Sequence, residues 1–173
     1  MELTDTVKGK IENFVHGNRV VLFMKGTRQQ PMCGFSARTN AALDGVLPDY
    51  VTVNVLDDAD IREGIKLYGN WPTIPQLYID GELVGGCDIV LNMLNNGELH
   101  QQLGLDAPDR SPPNVTITPG AVEKIREAMQ GHEGIALHFQ VDANWDAQFN
   151  LAPPQGHEIA AESNGIKILM DIA

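Results

Sequence analysis

The chain is expected to fold as α/β, a mixed sheet with helices on both faces, followed by a small α+β domain. Three observations lead there. Residues 1–105 alternate helical and strand patterns in the order α-β-α-β-α-β-β-α, the pattern of a helix-covered sheet. Residues 106–114, Asp106-Ala107-Pro108-Asp109-Arg110-Ser111-Pro112-Pro113-Asn114, are polar, contain three prolines and read as a linker. Residues 115–173 read as one amphipathic helix followed by four short alternating runs, a helix plus a β-meander.

Thr4 or Asp5 caps a first helix through Val15, with Val7, Ile11, Phe14 and Val15 on its apolar face. A strand follows at 19–24 and a helix at 37–43. Residues 50–55 form a short β-rich run, and 57–68 carries Ile61, Ile65 and Tyr68 at helical spacing. Gln76–Ile79 and Glu82–Gly85 flank Asp80-Gly81, the strongest two-residue hairpin signal in the chain. Residues 87–95 and 98–103 read as closing helices. Beyond the linker, Thr118 precedes Pro119, a residue suited to the first helical turn. That helix runs to about Gln130, with Ala121, Val122, Ile125, Ala128 and Met129 inward. Short runs at 135–141, 147–151, 157–161 and 166–170 follow, with Asn164-Gly165 as the last turn.

Composition bounds the function. The chain has 173 residues, 43% of them hydrophobic and 20% charged, and a formal net charge of −11. Such acidity argues against nucleic acid, whose phosphates need a basic surface, and against anionic membranes. No apolar stretch approaches the roughly 18 residues of a spanning helix. The first residues carry neither a basic nor an apolar leader region. Two cysteines, Cys33 and Cys87, make no disulfide framework. A reducing, cytoplasmic location is therefore expected.

Cys33-Gly34-Phe35-Ser36 carries the most chemistry. A cysteine between a strand and a helix meets the first-turn N–H groups and the helix dipole, which stabilise a thiolate. Lys25 adds positive charge. A redox dithiol would place a second cysteine at position 36, which is serine here. A lone thiolate can open a disulfide but needs an outside thiol to finish, and it can also ligate iron or zinc. Trp71-Pro72-Thr73-Ile74-Pro75 precedes a strand. A cis Ile74–Pro75 bond would leave the Ile74 backbone free to pair with a peptide, a trans bond would be an ordinary strand start, and both stay open. In Gly85-Gly86-Cys87-Asp88 the glycines allow close approach, the helix start offers N–H groups to a carboxylate, and Asp88 suits an amine. Lys25 and Arg62 are candidate carboxylate partners. A thiol peptide with two carboxylates and one amine, glutathione, fits this set. His132, His138 and His157 lack tight ligand spacing and read as surface or half-buried residues.

Residues 15–105 resemble a monothiol glutaredoxin of the C-G-F-S class. The likeness is carried by Lys25-Gly26-Thr27, by residues 30–36, by residues 70–78 and by Gly85-Gly86-Cys87-Asp88-Ile89. It implies a thioredoxin-like fold, cis-Pro75, and glutathione contacts from Lys25, Arg62, Ile74, Pro75, Cys87 and Asp88. It implies Cys33 as the reactive thiol and as the ligand of a [2Fe–2S] cluster bridging a homodimer. A BolA-like partner and iron–sulfur recipient proteins follow from the same likeness. Arg28 departs from the family's common proline and is expected to add charge beside the site. The ligand count agrees. A [2Fe–2S] cluster takes about four thiolates, and one chain has two cysteines. Two Cys33 with two glutathiones supply four, as would two Cys33 with two Cys87; the place of Cys87 in the Gly-Gly-Cys-Asp loop favours the first.

Residues 116–126 and 163–171 resemble an A-type iron–sulfur carrier (HesB-like) domain. That family ligates metal through three cysteines, and no residue after Cys87 is cysteine. The second part therefore reads as a degenerate carrier domain kept for interaction, or as one cut short. The expected function is glutathione-dependent binding and transfer of a [2Fe–2S] cluster. The alternative is a glutathione-dependent disulfide oxidoreductase, with that activity weak or absent.

Overall fold

The computed structural model describes residues 3–141 and 146–171. The chain divides into two compact units, Met1–Ala107 and Pro108–Ala173.

The first unit contains α1 (Asp5–Gly17), β1 (Val20–Met24), α2 (Gly34–Asp44), β2 (Val51–Asn54) and α3 (Ala59–Tyr68). The hairpin β3 (Gln76–Ile79) and β4 (Glu82–Gly85) and the helices α4 (Cys87–Asn96) and α5 (Glu98–Leu103) complete it. The strand order is β2-β1-β3-β4, with β1 and β2 parallel and the other pairs antiparallel. All five β1 residues are buried, as befits an interior strand covered on both faces. Alternation divides them between two cores. Leu22 and Met24 pack with Leu43, Val90, Leu94 and Leu99 of α2, α4 and α5. Val21 and Phe23 pack with Ile11, Val15, Ile61 and Ile65 of α1 and α3. Phe23 is wholly buried, so Phe23→Ala should cost about 3–5 kcal/mol. This is a thioredoxin-like mixed sheet with flanking helices.

Local chemistry sets the ends. Thr4 caps α1 by accepting the Val7 N–H. Asp58 caps α3 by accepting the N–H groups of Asp60 and Ile61. Helix α3 thus starts at Ala59, while Asp57 accepts from the Asn54 amide instead. Asp80 and Gly81 both have positive φ, 51° and 85°, the backbone of the two-residue hairpin turn. Helix α2 begins at Gly34, three residues before the expected 37, which makes Cys33 its N-cap residue.

The second unit contains α6 (Pro119–Met129), β5 (Ala136–Val141), β6 (Ala147–Ala152), β7 (Ile159–Ser163) and β8 (Ile166–Met170). One core joins Ile117 and Val122 to Leu137, Ile166, Ile168 and Met170. The expected β-meander is not what forms. The order is β6-β5-β8-β7, two antiparallel pairs joined by a parallel β5–β8 pairing. Pro153 and Pro154 lack the N–H groups that would extend a ladder beyond β6. Residues 153–158 instead carry the chain to the far edge, and β8 returns into the middle. The Glu158 carboxylate closes that crossing by accepting the N–H groups of Gln155 and Gly156 at 2.6 and 2.7 Å. Strand β7 accordingly starts at Ile159, two residues later than expected.

Candidate functional site

The loop between β1 and α2 sets the position of Cys33. Its base is closed by the Met32 N–H donating to the Lys25 carbonyl at 2.9 Å. Gly26 has φ +89°, and a Cβ there would lie 2.4 Å from the Gln30 carbonyl oxygen, so the position requires glycine. The Gly26 N–H donates to Asn54 Oδ1 at 2.8 Å, tying the loop to β2. Ser36, fully buried, accepts the Lys25 N–H on its Oγ at 3.1 Å. The serine of the motif therefore joins the loop to the first turn of α2.

As the N-cap residue, Cys33 adopts an extended backbone, φ −156° and ψ 136°, and offers no side-chain cap of its own. Its thiol is held below the ordinary thiol range. The Ser36 backbone N–H is the main cause, opposed by partial burial and reinforced by the Phe35 N–H, the Lys25 charge and the Ser36 hydroxyl. The sulfur lies at a half-buried position. Met32 and Phe35 flank it as exposed apolar side chains, 68% and 56% accessible.

A pocket of about 520 Å³ opens at this thiol. The structure brings all seven residues singled out in the sequence into its lining: Lys25, Cys33, Arg62, Ile74, Pro75, Cys87 and Asp88. The Ile74–Pro75 bond is cis. Gln76 holds the preceding loop: its buried amide donates to the carbonyls of Trp71 and Thr73 at 2.9 and 3.1 Å and accepts the Tyr78 hydroxyl at 3.0 Å. Across the pocket, Gly86 is the N-cap of α4 and supplies no side-chain cap, so the helix start offers its N–H groups outward. Cys87, 5% accessible, begins that helix, and exposed Asp88 follows. Both cysteines are free thiols.

Several contributors escape a reading of the sequence. Lys66 lines the pocket one helical turn beyond Arg62. The i, i+4 spacing on α3 is the signal that could have found it. It pairs with Glu63 at 2.9 Å, and that bond holds the Glu63 carboxyl below its usual range. The pocket thus gathers Lys25, Arg62 and Lys66 against one carboxylate, Asp88, on a chain of net charge −11. It is a cationic hollow in an acidic protein. Trp71 and Gln76 fall within stretches the sequence singles out, but the sequence assigns neither a role: Trp71 lines the pocket and Gln76 braces its loop. Arg28 does not add charge beside the site, contrary to expectation. Its guanidinium turns away to Asp44 at 2.7 Å.

Of the three histidines of the second unit, two lie as expected and one does not. His132 is exposed and His157 half-buried, with its Nε2 3.3 Å from Asp171. His138 is buried, 6% accessible, because the β5 register turns it to the face crossed by residues 153–158. Its Nε2–H donates to the Ala152 carbonyl, and its Nδ1 stands 4.0 Å from Glu158. Among the described residues no group of three or more His, Cys, Asp or Glu side chains could hold a metal ion. Among them, too, no helix is long and apolar enough to cross a membrane.

Comparison with known proteins places these features. The glutaredoxin family model matches residues 20–84. A probable monothiol glutaredoxin 2 of Rickettsia typhi is 52% identical over 93 residues, covering 54% of this chain and 84% of that protein. The solution structure of reduced poplar apo GrxS14 matches with a TM-score of 0.54 and 44% identity, over 60% of this chain and 95% of that one. The crystal structure of a buckwheat glutaredoxin–glutathione complex matches with a TM-score of 0.51 and 25% identity, over 57% of this chain and 88% of that one.

Proposed function

Since the chain belongs to the monothiol glutaredoxin family, we propose that its first unit binds glutathione beside Cys33 and uses both thiols to carry a [2Fe–2S] cluster to recipient proteins. The observation that carries this reading is a pocket that joins an acidic thiol to three cations and one carboxylate. Glutathione has a complementary outline. Lys25, Arg62, Lys66 and the α4 N–H groups suit its two carboxylates, and Asp88 suits its amine. The Ile74 backbone beside cis-Pro75 suits its peptide group as an added strand would. The buckwheat neighbour is a glutathione complex.

The cluster is cargo, and two chains would share its ligands. One chain presents Cys33 at the pocket mouth, while Cys87 is buried. Two Cys33 and two glutathione thiols make the roughly four thiolates a cluster takes. This reading makes the loaded form a homodimer bridged by its cargo, open to exchange with a BolA-like protein or with iron–sulfur recipients. Free thiols suit a reducing compartment such as the cytoplasm. The second unit, with no cysteine after Cys87, is read as a cysteine-free variant of an A-type carrier domain that contacts partners and holds no cluster.

A second reading rests on the lowered acidity of Cys33. Its thiolate could attack the glutathione sulfur of a mixed disulfide, releasing the protein thiolate and leaving a Cys33–glutathione disulfide. A second glutathione thiolate would then attack that sulfur, releasing oxidised glutathione and regenerating Cys33. Anaerobic loading with iron, sulfide and glutathione separates the two. A coloured dimer with slow disulfide turnover supports carriage; a colourless monomer with fast turnover supports the oxidoreductase.

A further inference from the structure

Helix α3 supplies two of the cations that line the pocket, Arg62 and Lys66, and it carries their counter-ion as well. Lys66 Nζ donates to both carboxylate oxygens of Glu63, at 3.0 and 2.9 Å, across one helical turn. Arg62 Nε lies 3.8 Å from the same carboxylate. The Lys66 hydrogen bond, with the Lys66 and Arg62 charges behind it, holds the Glu63 carboxyl below its usual range against partial desolvation. Glu63 itself lies outside the pocket lining.

The main chain leaves the choice of partner to the Lys66 side chain. Its carbonyl accepts the Trp71 N–H at 3.0 Å, which ties the end of α3 to the loop that lines the pocket. The inner face of α3 is fixed too: a Cβ on Gly64 would stand 2.6 Å from Val7 Cγ1 of α1. Lys66 Nζ, on its flexible four-carbon stem, is the part free to turn between Glu63 and a ligand. The Lys66 and Glu63 side chains are 29% and 42% accessible, so their pairing is weak enough to be exchanged. Charge matching points the same way. Lys25, Arg62 and Lys66, set against Asp88 and Glu63, leave one net positive charge. Glutathione, its thiol aside, has two carboxylates and one ammonium, one net negative charge.

We propose that Glu63 sets the affinity of the pocket: it competes with the ligand's carboxylate for Lys66 and keeps glutathione binding weaker than three free cations would make it. The proposal rests on the reading of the pocket as a glutathione site. Two rival roles are distinguishable from competition. As a brace, Glu63 would aim Lys66 at the ligand, and its loss would weaken binding. As a distant anion, it would act through the general field, and any nearby carboxylate would act alike.

The test is calorimetric titration of reduced glutathione, under anaerobic conditions, into the metal-free full chain and its variants. Glu63→Gln and Glu63→Ala are expected to tighten binding about two- to fivefold. Asp60→Asn removes the same charge from an exposed position on the same helix and is expected to leave affinity unchanged. In a Lys66→Met background the gain from Glu63→Gln should largely vanish, because only the longer approach to Arg62 remains to be released. Weaker binding by Glu63→Ala, an equal gain from Asp60→Asn, or a gain undiminished without Lys66 overturns the proposal. Thermal melts accompany each variant, and tighter binding is a readout that loss of structure does not produce. No binding by the native chain or by any variant defeats the glutathione reading itself; binding that Glu63→Gln leaves unmoved defeats only the role of Glu63.

Discussion

Ser36 occupies the place of a resolving cysteine, and the structure gives it a different task. Its Oγ, inaccessible to solvent, accepts the Lys25 N–H at 3.1 Å and also lies among the groups that lower the Cys33 thiol. Ser36→Ala removes one oxygen from a packed site and leaves that N–H without its acceptor. An orphaned buried donor costs about 1–3 kcal/mol; Lys25 is only partly buried, so about 1–2 kcal/mol is expected. For a unit of this size that corresponds to a fall in Tm on the order of 5–10 °C. The alkylation midpoint of Cys33 should rise slightly, because the Ser36 backbone N–H, the main cause of its acidity, remains. Urea unfolding followed by Trp71 fluorescence in a Trp145→Phe background reads the first unit alone. A loss below about 0.5 kcal/mol together with an unmoved midpoint would refute the reasoning and reduce Ser36 to a space-filler.

Asp88→Ala should weaken glutathione binding about tenfold by calorimetry, the lower end for a charge-assisted contact because Asp88 is exposed; unchanged affinity contradicts its assignment to the amine. The Glu158 carboxyl lies below its usual range: burial raises it, but the N–H groups of Gln155 and Gly156 and the nearby His157 outweigh that effect. A depressed folded value means its stabilisation is complete above the ordinary carboxylate pKa of about 4.3 and is lost as pH falls through the lower folded value. The stability difference between the native chain and Glu158→Gln should therefore shrink across that acid window, and a difference that is flat with pH contradicts it. Ending the chain after Ala107 should leave cluster content per chain unchanged, since every residue of the pocket lies in the first unit; loss of the cluster on truncation would assign the second unit a share in holding it.

How much of this was legible depended on how local each cause is. The hairpin around Asp80-Gly81 has the strands its sequence announces, because two residues with positive φ decide the turn and the first two pairs, Ile79 with Glu82 and Tyr78 with Leu83; beyond them a bulge shifts the register so that Leu77 faces Gly85. Cys33 at a strand–helix junction was legible too, although the helix starts earlier, at the cysteine itself. The cis state of Ile74–Pro75 was not legible from the residues alone, since both isomers suit a strand start. Lys66 was hidden because nothing in its own neighbourhood distinguishes a pocket lysine from one paired with Glu63, and it is both. Arg28 misled for a related reason. Its sequence neighbours are the site, but its partners Asp44, Asp49 and Tyr50 lie 16 to 22 residues away. In the second unit, four strands in sequence suggested a meander. Which strands pair is decided non-locally, by the crossing of residues 153–158 to the far edge, which leaves a place between β5 and β7 for β8, later in the sequence. The burial of His138 follows from that crossing and was equally invisible.

In the proposed function, Cys33 and glutathione together hold a [2Fe–2S] cluster between two chains. Anaerobic reconstitution of the full chain with iron and sulfide, with and without glutathione, followed by visible spectroscopy and size measurement, tests it most directly. The expected result is an absorbing dimer with glutathione that reverts to monomer when the iron is chelated, none with Cys33→Ser, and a weakened one with Cys87→Ser. A stable, fully loaded cluster formed without any small thiol, or a normal spectrum from the Cys33→Ser chain, would contradict it.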